Sequence, residues 1–366
     1  MRHMATVEQT VSVGFVGLGW MGRRHAQHVV DLGHEVVGGA DVVSSTRERF
    51  AGDFDVPVFD GYDGLLDATE PDAVVIATPN AFHAGPTIAA LERDTAVLVE
   101  KPLSDTLEDA REVAAVAEDA EATAMVGFHN RFSSSMRMLD DYRLSGALGD
   151  IVHVEAEYIR RRGIPNVNSW FTDVSLAGGG ALIDLGVHTI DFAMAVAGFP
   201  EPKSVSGKTV RLYADRPDYV DPEDWSHWGG IGGETIDAED GATALIRCEN
   251  DVTISIEIAW ARDRPASEDV YIQGTDGGAH CKLGGDTITI YGASGAGTDH
   301  YVDSEMVDPS SPPNYKEEMD YFLRTVATGE ELVTNTVDEA LTVQEIVHGI
   351  YESSETGTEY RFDETS

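Results

Sequence analysis

The first 128 residues repeat one grammar, a short apolar run followed by a stretch with helical spacing. The runs are VSVGFVG (11–17), EVVGGA (35–40), AVVIAT (73–78), AVLVE (96–100) and ATAMVGF (122–128), and segments such as 104–119 between them carry helical periodicity. Strands joined through helices pair in parallel, and a parallel sheet must be covered on both faces. The segment is therefore expected to form a doubly wound α/β sheet.

Beyond about residue 130 the grammar changes. A helix-like stretch (131–145) leads into a long strand, DIVHVEAEYIR. After it come SVSGKTVRLY, ATALIRCE, VTISIEIAWA, EDVYIQG and DTITIYG, all alternating with period two. Consecutive strands with tight turns predict a mostly antiparallel sheet. Two helices (314–328 and 336–352) close the chain, the second opened by Thr336 and Glu339 in the spacing of a capping box. With 366 residues and 42% hydrophobic content, two cores are affordable.

Charge excludes some partners. There are 65 acidic residues against 25 basic ones, a formal net charge of -40, and only Lys101, Lys203, Lys208, Lys282 and Lys316 are lysines. Phosphate backbones and anionic membranes require basic stripes, so nucleic acid and membrane surface are set aside. At molar salt the Debye length falls to roughly 3 Å and screens the self-repulsion of such a chain. The composition is that expected of a halophilic protein. The opening MRHMATVEQT carries no apolar run of a signal peptide, and no stretch reads as about 18 consecutive apolar residues, so a soluble, cytoplasmic protein is expected. Cys248 and Cys281 show neither metal spacing nor a disulfide framework.

Gly17-x-Gly19-x-x-Gly22 follows the first strand and opens a helix. Glycines there permit a tight turn and close approach of a pyrophosphate to the helix N-terminus. Asp41 follows the second strand about 20 residues on, where an acid holds a ribose diol. Such an acid repels a 2′-phosphate and favours NAD, while Ser44, Ser45 and Arg47 leave NADP open. Ligands of open α/β sheets sit beyond the carboxyl ends of the strands. Three polar breaks fall there: TPNAFH (78–83), EKPL (100–103) and GFHNRF (127–132). Pro79 and Pro102 alone would read as turn chemistry. Lys101, a rare lysine in an acidic chain, argues for function.

In GGGALIDLGVHTID (178–191), Asp184 and His188 are spaced to share one face of a buried helix. A zinc site would want three or four suitable ligands, and neither cysteine obviously joins the pair, so no metal is expected. A structural Asp–His hydrogen bond remains open. Proton transfer beside a hydride-accepting cofactor is the favoured reading.

GFVGLGWMG, ATPNAFH, EKP and GGGALIDLGVHTID, in this order and at these separations, resemble the glucose-fructose oxidoreductase, inositol dehydrogenase and rhizopine catabolism (Gfo/Idh/MocA) family over essentially the whole chain. The resemblance implies an N-terminal Rossmann domain (9–130) and a C-terminal α+β domain with an open-faced, mostly antiparallel sheet (131–366) that binds substrate and oligomerises. Activity on a sugar, polyol or related hydroxyl compound with NAD, or NADP, is implied. Lys101 matches the lysine that binds the reacting hydroxyl, His188 the proton acceptor and Asp184 the substrate-orienting acid. Cofactor contacts are implied for Gly17, Gly19, Trp20, Met21, Gly22, Asp41, Thr78 and Lys101, and Asn80, His83, Glu100, His129 and Trp170 match positions at the nicotinamide half. A redox-neutral glycosidase or epimerase on the same fold, or a non-catalytic dinucleotide sensor, are the alternatives; the sensor would have no use for Lys101, Asp184 and His188 together. Arg160, Arg161 and Arg162 fit recognition of an anionic group or surface ion pairs. The 214–240 loop, with Trp225, His227 and Trp228, fits stacking on a sugar ring or covering the sheet. Alternating segments such as VTISIEIAWA are expected to expose apolar sheet that a homodimer or homotetramer buries.

Overall fold

The structure, a computed structural model, describes residues 9–166, 169–214, 216, 218–222, 236–308 and 313–362. Trp225, His227 and Trp228 lie outside the described residues. The contacts divide the chain into two compact units: Met1–Ser104, Glu108–Gly127 and Tyr315–Asp338 in the first, and Asp105–Leu107, Phe128–Asn314 and Glu339–Ser366 in the second.

The first unit contains β1 (Ser12–Val16), α1 (Trp20–Asp31), β2 (Glu35–Ala40), α2 (Ser44–Phe54), β3 (Val58–Phe59), α3 (Tyr62–Thr69), β4 (Ala73–Ile76), α4 (Ala84–Leu91), β5 (Ala96–Glu100), α5 (Leu107–Asp119) apart from its first residue, and β6 (Ala124–Gly127). The strands form one parallel sheet in the order β3-β2-β1-β4-β5-β6. Every residue of β4 and β5 is buried, as continuous apolar runs must be when helices cover both faces. The order reverses direction between β1 and β4, and that switch point opens a crevice at the strands' carboxyl ends. The two-residue β3 was too short to carry a periodic signal.

The expected division at residue 130 is corrected by the return of 315–338 to the first unit. β6 is an edge strand with open backbone groups, a liability unless paired. The Val126 N–H donates to the Asn335 carbonyl at 2.9 Å, and Asn335 Nδ2 donates to the Val126 carbonyl at 2.9 Å. Asn335 is fully buried and left-handed at φ 57°, a conformation asparagine tolerates. Side chain and backbone of one residue thus close the sheet's edge.

In the second unit, α6 (Ser134–Leu144), β7 (Ile151–Ile159), α7 (Val174–Ala177), α8 (Val187–Ala197), β8 (Pro202–Val210), β9 (Gly241–Cys248), β10 (Thr253–Ala259), β11 (Asp269–Gly274), β12 (Gly278–Lys282), β13 (Thr287–Ser294) and β14 (His300–Val307) precede α9 (Asn314–Thr328), which packs in the first unit apart from its first residue. The closing α10 (Val337–Thr356), from Glu339 on, and β15 (Tyr360–Arg361) return to the second. The nine-stranded sheet runs β14-β13-β12-β11-β7-β10-β9-β8-β15, antiparallel throughout except where β10 lies parallel to β7.

Alternation in β10 buries Ile254, Ile256 and Ile258 while Thr253, Ser255 and Glu257 stay half-buried, and α8 crosses β7 and β10. An open groove of about 730 Å³ on the sheet is lined by Glu155, Glu157, Lys208, Ser255, Glu257 and Glu359, among others. The expected exposed apolar face is therefore corrected. The isoleucines turn inward, and what VTISIEIAWA leaves outward is polar and acidic. Val174–Ala197 is long and apolar enough by composition to span a membrane, against the sequence expectation. Yet 83% of its most apolar window is buried inside the protein, as in a core helix. Both cysteines are buried, and burial pushes the Cys281 thiol up to about 12 and Cys248 to about 11.

Candidate functional site

In the first unit the glycine turn joins β1 to α1. Gly17 has φ 86° and its N–H donates to the Ala40 carbonyl at 2.9 Å; a Cβ there would stand 2.5 Å from the Ala77 carbonyl oxygen. A Cβ on Gly22 would collide with the Gly17 carbonyl oxygen. Gly19, by contrast, faces open space, and as N-cap of α1 it supplies no side-chain cap. The first turn of α1 carries no acid either, so its N–H groups and dipole are turned toward an anion. Two glycines close the turn and the third leaves room, which is the fit a pyrophosphate needs. Trp20 is exposed and Met21 half-buried beside this opening. The Arg24 guanidinium lies 5.3 Å over the Trp20 ring and 4.0 Å over Tyr315.

Asp41 follows β2. Its carboxylate accepts from the Leu18 N–H at 2.9 Å and the Val43 N–H at 2.8 Å, and its carbonyl accepts from Arg47 at 2.6 Å. The acid is thereby held against the glycine turn. Ser44 opens α2 just beyond it.

The loops after β4 and β5 are tied by His83. It is fully buried, with Nδ1 2.8 Å from the Pro102 carbonyl and Nε2 3.0 Å from the Thr78 carbonyl. Burial lowers its pKa, with the two carbonyls pulling the other way. Fully buried, His83 braces the two loops through these bonds. Thr78 Oγ1 donates to the Phe82 carbonyl at 3.0 Å, and Asn80 is buried in the same loop. Glu100 ends β5 nearly buried, its Oε1 2.7 Å from Nε2 of the buried His25 on α1. Lys101 follows, half-buried and joined to Pro102 by a cis peptide.

The second unit brings His129 and His188 ring to ring, and Asp184 stands one turn before His188 in the chain. Residues Leu182–Gly186 form a π-helical turn leading directly into α8, so Asp184 and His188 do not share one regular α-helix. π turns inserted in helices recur at functional sites. Asp184 Oδ2 accepts from the Trp260 indole N–H at 2.9 Å and lies 3.8 Å from Arg160 Nη1. Trp260 is fully buried. The His188 ring meets His129 at 4.9 Å and Phe128 at 6.5 Å, both edge-on. Burial pushes the Tyr158 hydroxyl up, and Arg160 lies 5.6 Å from its ring. Trp170 stacks on Phe171 at 3.9 Å.

Of the arginine triplet, Arg160 thus points to Asp184, Arg161 is exposed, and Arg162 pairs with Asp263. The surface ion-pair reading holds for Arg162. Arg131 makes a forked pair with Asp191, and its Nη1 donates to Glu339 at 2.7 Å. Trp260, Arg131, Glu339 and His25 were missed from the sequence. Asp191 did carry a signal, since a carboxylate in a helix buried all round must have a partner.

Residues 11–128 match the family model described as oxidoreductase family, NAD-binding Rossmann fold (GFO_IDH_MocA), and residues 136–280 match the GFO/IDH/MocA C-terminal domain. D-glucoside 3-dehydrogenase of Escherichia coli K12 is 28% identical over 312 residues, 82% of this chain and 82% of its own. D-xylose 1-dehydrogenase (NADP(+)) 2 of Haloferax volcanii is 28% identical over 335 residues, covering 90% of this chain and 93% of its own. A solved levoglucosan dehydrogenase in complex with NADH and levoglucosan shares the fold with a TM-score of 0.83 at 23% identity, over 96% of this chain and 99% of that one.

Proposed function

Because the chain belongs to the Gfo/Idh/MocA oxidoreductase family, we propose that it is an NAD(P)-dependent dehydrogenase oxidising a CH–OH group of a sugar, polyol or related compound. The observation that carries the reading is the glycine turn, closed at Gly17 and Gly22 and open at Gly19 on an uncapped helix start. When bound, the nicotinamide dinucleotide supplies the acceptor for the carbon-bound hydrogen as hydride. Gly17, Gly19, Trp20, Met21 and Gly22 cradle its phosphates, and Asp41 takes the ribose diol. Thr78 would contact the cofactor, and Asn80, His83, Glu100, His129 and Trp170 match the positions implied for the nicotinamide half.

His188 takes the hydroxyl proton. Lys101 donates to the developing alkoxide, and Asp184, fixed by Trp260, orients the substrate. Asp41 favours NAD, and the Haloferax relative, named for NADP(+), keeps NADP within the reading. The net charge of -40 supports a protein adapted to high salt. A homodimer or homotetramer through the second unit's sheet is supported by the exposed Tyr271, Tyr291 and Tyr301.

The test is a screen of sugars and polyols with NAD and NADP in molar KCl, read by nicotinamide absorbance. Reduction with at least one neutral polyhydroxy compound is expected. Cofactor that stays bound while substrate turns over without net reduction would instead give the redox-neutral chemistry.

A further inference from the structure

We propose that the buried cluster Arg131–Asp191–Glu339 is a positioning device that fixes His188 against His129, and that the rate of proton transfer depends on it. The proposal rests on His188 being the proton acceptor.

The chain places both pairs on the same two elements. His129 and Arg131 lie two residues apart in one 3-10 turn, His129–Phe132. His188 and Asp191 lie three residues apart on α8, where such a spacing shares one face. The ring contact His129–His188 and the ion pair Arg131–Asp191 therefore bridge the same two elements within about one helical turn.

The bridge is geometrically strict. Arg131 Nε stands 3.0 and 2.9 Å from the two Asp191 oxygens, and Nη2 also donates to Oδ1. Nη1 reaches Glu339 Oε2 at 2.7 Å, and the Phe199 ring lies 4.6 Å from the guanidinium carbon. The side chains of Arg131 and Asp191 are 5% and 1% exposed. Burial raises the Asp191 carboxyl above its ordinary range while the Arg131 guanidinium opposes it.

Such a pair is a poor way to gain stability. Desolvation offsets most of the attraction, and apolar replacements of similar volume are often as stable or more so. A planar fork does what apolar contacts do not, fixing both the distance and the rotation between two elements. The neighbouring imidazoles meet at 4.9 Å with their planes 75° apart. A displacement on the order of 1 Å at such a site costs roughly a hundredfold in rate.

Arg131→Lys keeps the charge and removes the fork. The expected result is a kcat lowered about tenfold or more, with unchanged NAD affinity and a pH limb still centred on His188. The double variant Arg131→Met with Asp191→Leu removes both charges and refills the space. It is expected to melt no lower than wild type and yet remain slow, which a purely structural cluster would not produce. Imidazole resonances of His129 and His188 should move in both variants. If Arg131→Lys, or the double variant where it folds, keeps wild-type kcat and wild-type imidazole shifts, the positioning role is wrong. Should His188→Asn itself stay active while those shifts move, the acceptor assignment falls and the clamp stands.

Discussion

The glycine turn and the π-to-α8 segment, the two regions proposed to carry function, are held in place by opposite means. At Gly17, Gly19 and Gly22 the backbone does the holding, and the residues matter for what they lack. Around Asp184 and His188 the holding is by side chains that arrive from afar, with Trp260 on Asp184 and Arg131 on Asp191. A site built from backbone tolerates little at a few positions and much elsewhere. One built from side chains spreads its sensitivity over residues that never touch a ligand.

The sharpest way to break the comparison is at the proposed proton acceptor. His188→Asn should lower kcat for alcohol oxidation by roughly 10² to 10⁴ and abolish any rising pH limb of that rate, while NAD titration stays as in wild type. Lys101→Met should slow the reaction comparably through loss of a donor to the alkoxide. Retained activity with the same limb would return Asp184 and His188 to the structural hydrogen-bond reading.

Next come the glycines. Gly17→Ala forces a left-handed residue against the Ala77 carbonyl and should destabilise the first unit by about 2–4 kcal/mol, measured by denaturation. Gly19→Ala should leave stability nearly untouched and weaken NAD binding, because its Cβ enters only the open space. Equal stability losses at the two positions would remove the assignment of that space to ligand.

Trp260→Phe deletes the indole donor to Asp184 while preserving most of the packing. A hydrogen bond to a charged group is worth about 1.5–3 kcal/mol, so kcat/KM should fall about tenfold or more with a smaller change in melting temperature. Asp41→Ala is expected to raise the NADP/NAD ratio of kcat/KM by about tenfold, roughly 1.4 kcal/mol. A wild type already strongly selective for NADP would sink that assignment.

The smallest effect concerns His28 on α1, lowered to about 4 chiefly by burial and secondarily by His25. Its folded pKa lies below the unfolded value, so the unfolded chain binds the proton more readily. The stability it contributes is complete above about 6.5 and lost as pH falls toward 4. His28→Gln should flatten the stability profile in that window, as read by urea midpoints.

Local signals reached the regions that local geometry controls. The strand-turn-helix glycines, Asp41 after β2, and the polar breaks after β4, β5 and β6 were legible because each is set within a few residues. Arg131 and Asp191 are 60 positions apart and Trp260 and Asp184 are 76 apart, distances at which no periodicity survives. Asn335 closing the edge of β6 from 209 residues away explains why the domain division misplaced 315–338. In VTISIEIAWA the alternation was real, yet its apolar half was assigned to the open face when burial had claimed it for the core.

The π turn at Leu182–Gly186 amounts to one surplus residue in a helical run. Shortening that run by a residue would let the hydrogen bonds relax to the regular pattern, and α8 beyond it would keep its phase, because a π turn takes up its surplus residue locally. His188 and Asp191 would keep their face, while Asp184 inside the turn would be re-aimed. For a chain drifting by small insertions and deletions, this stretch acts as a phase buffer, which absorbs a change in residue count before it reaches α8.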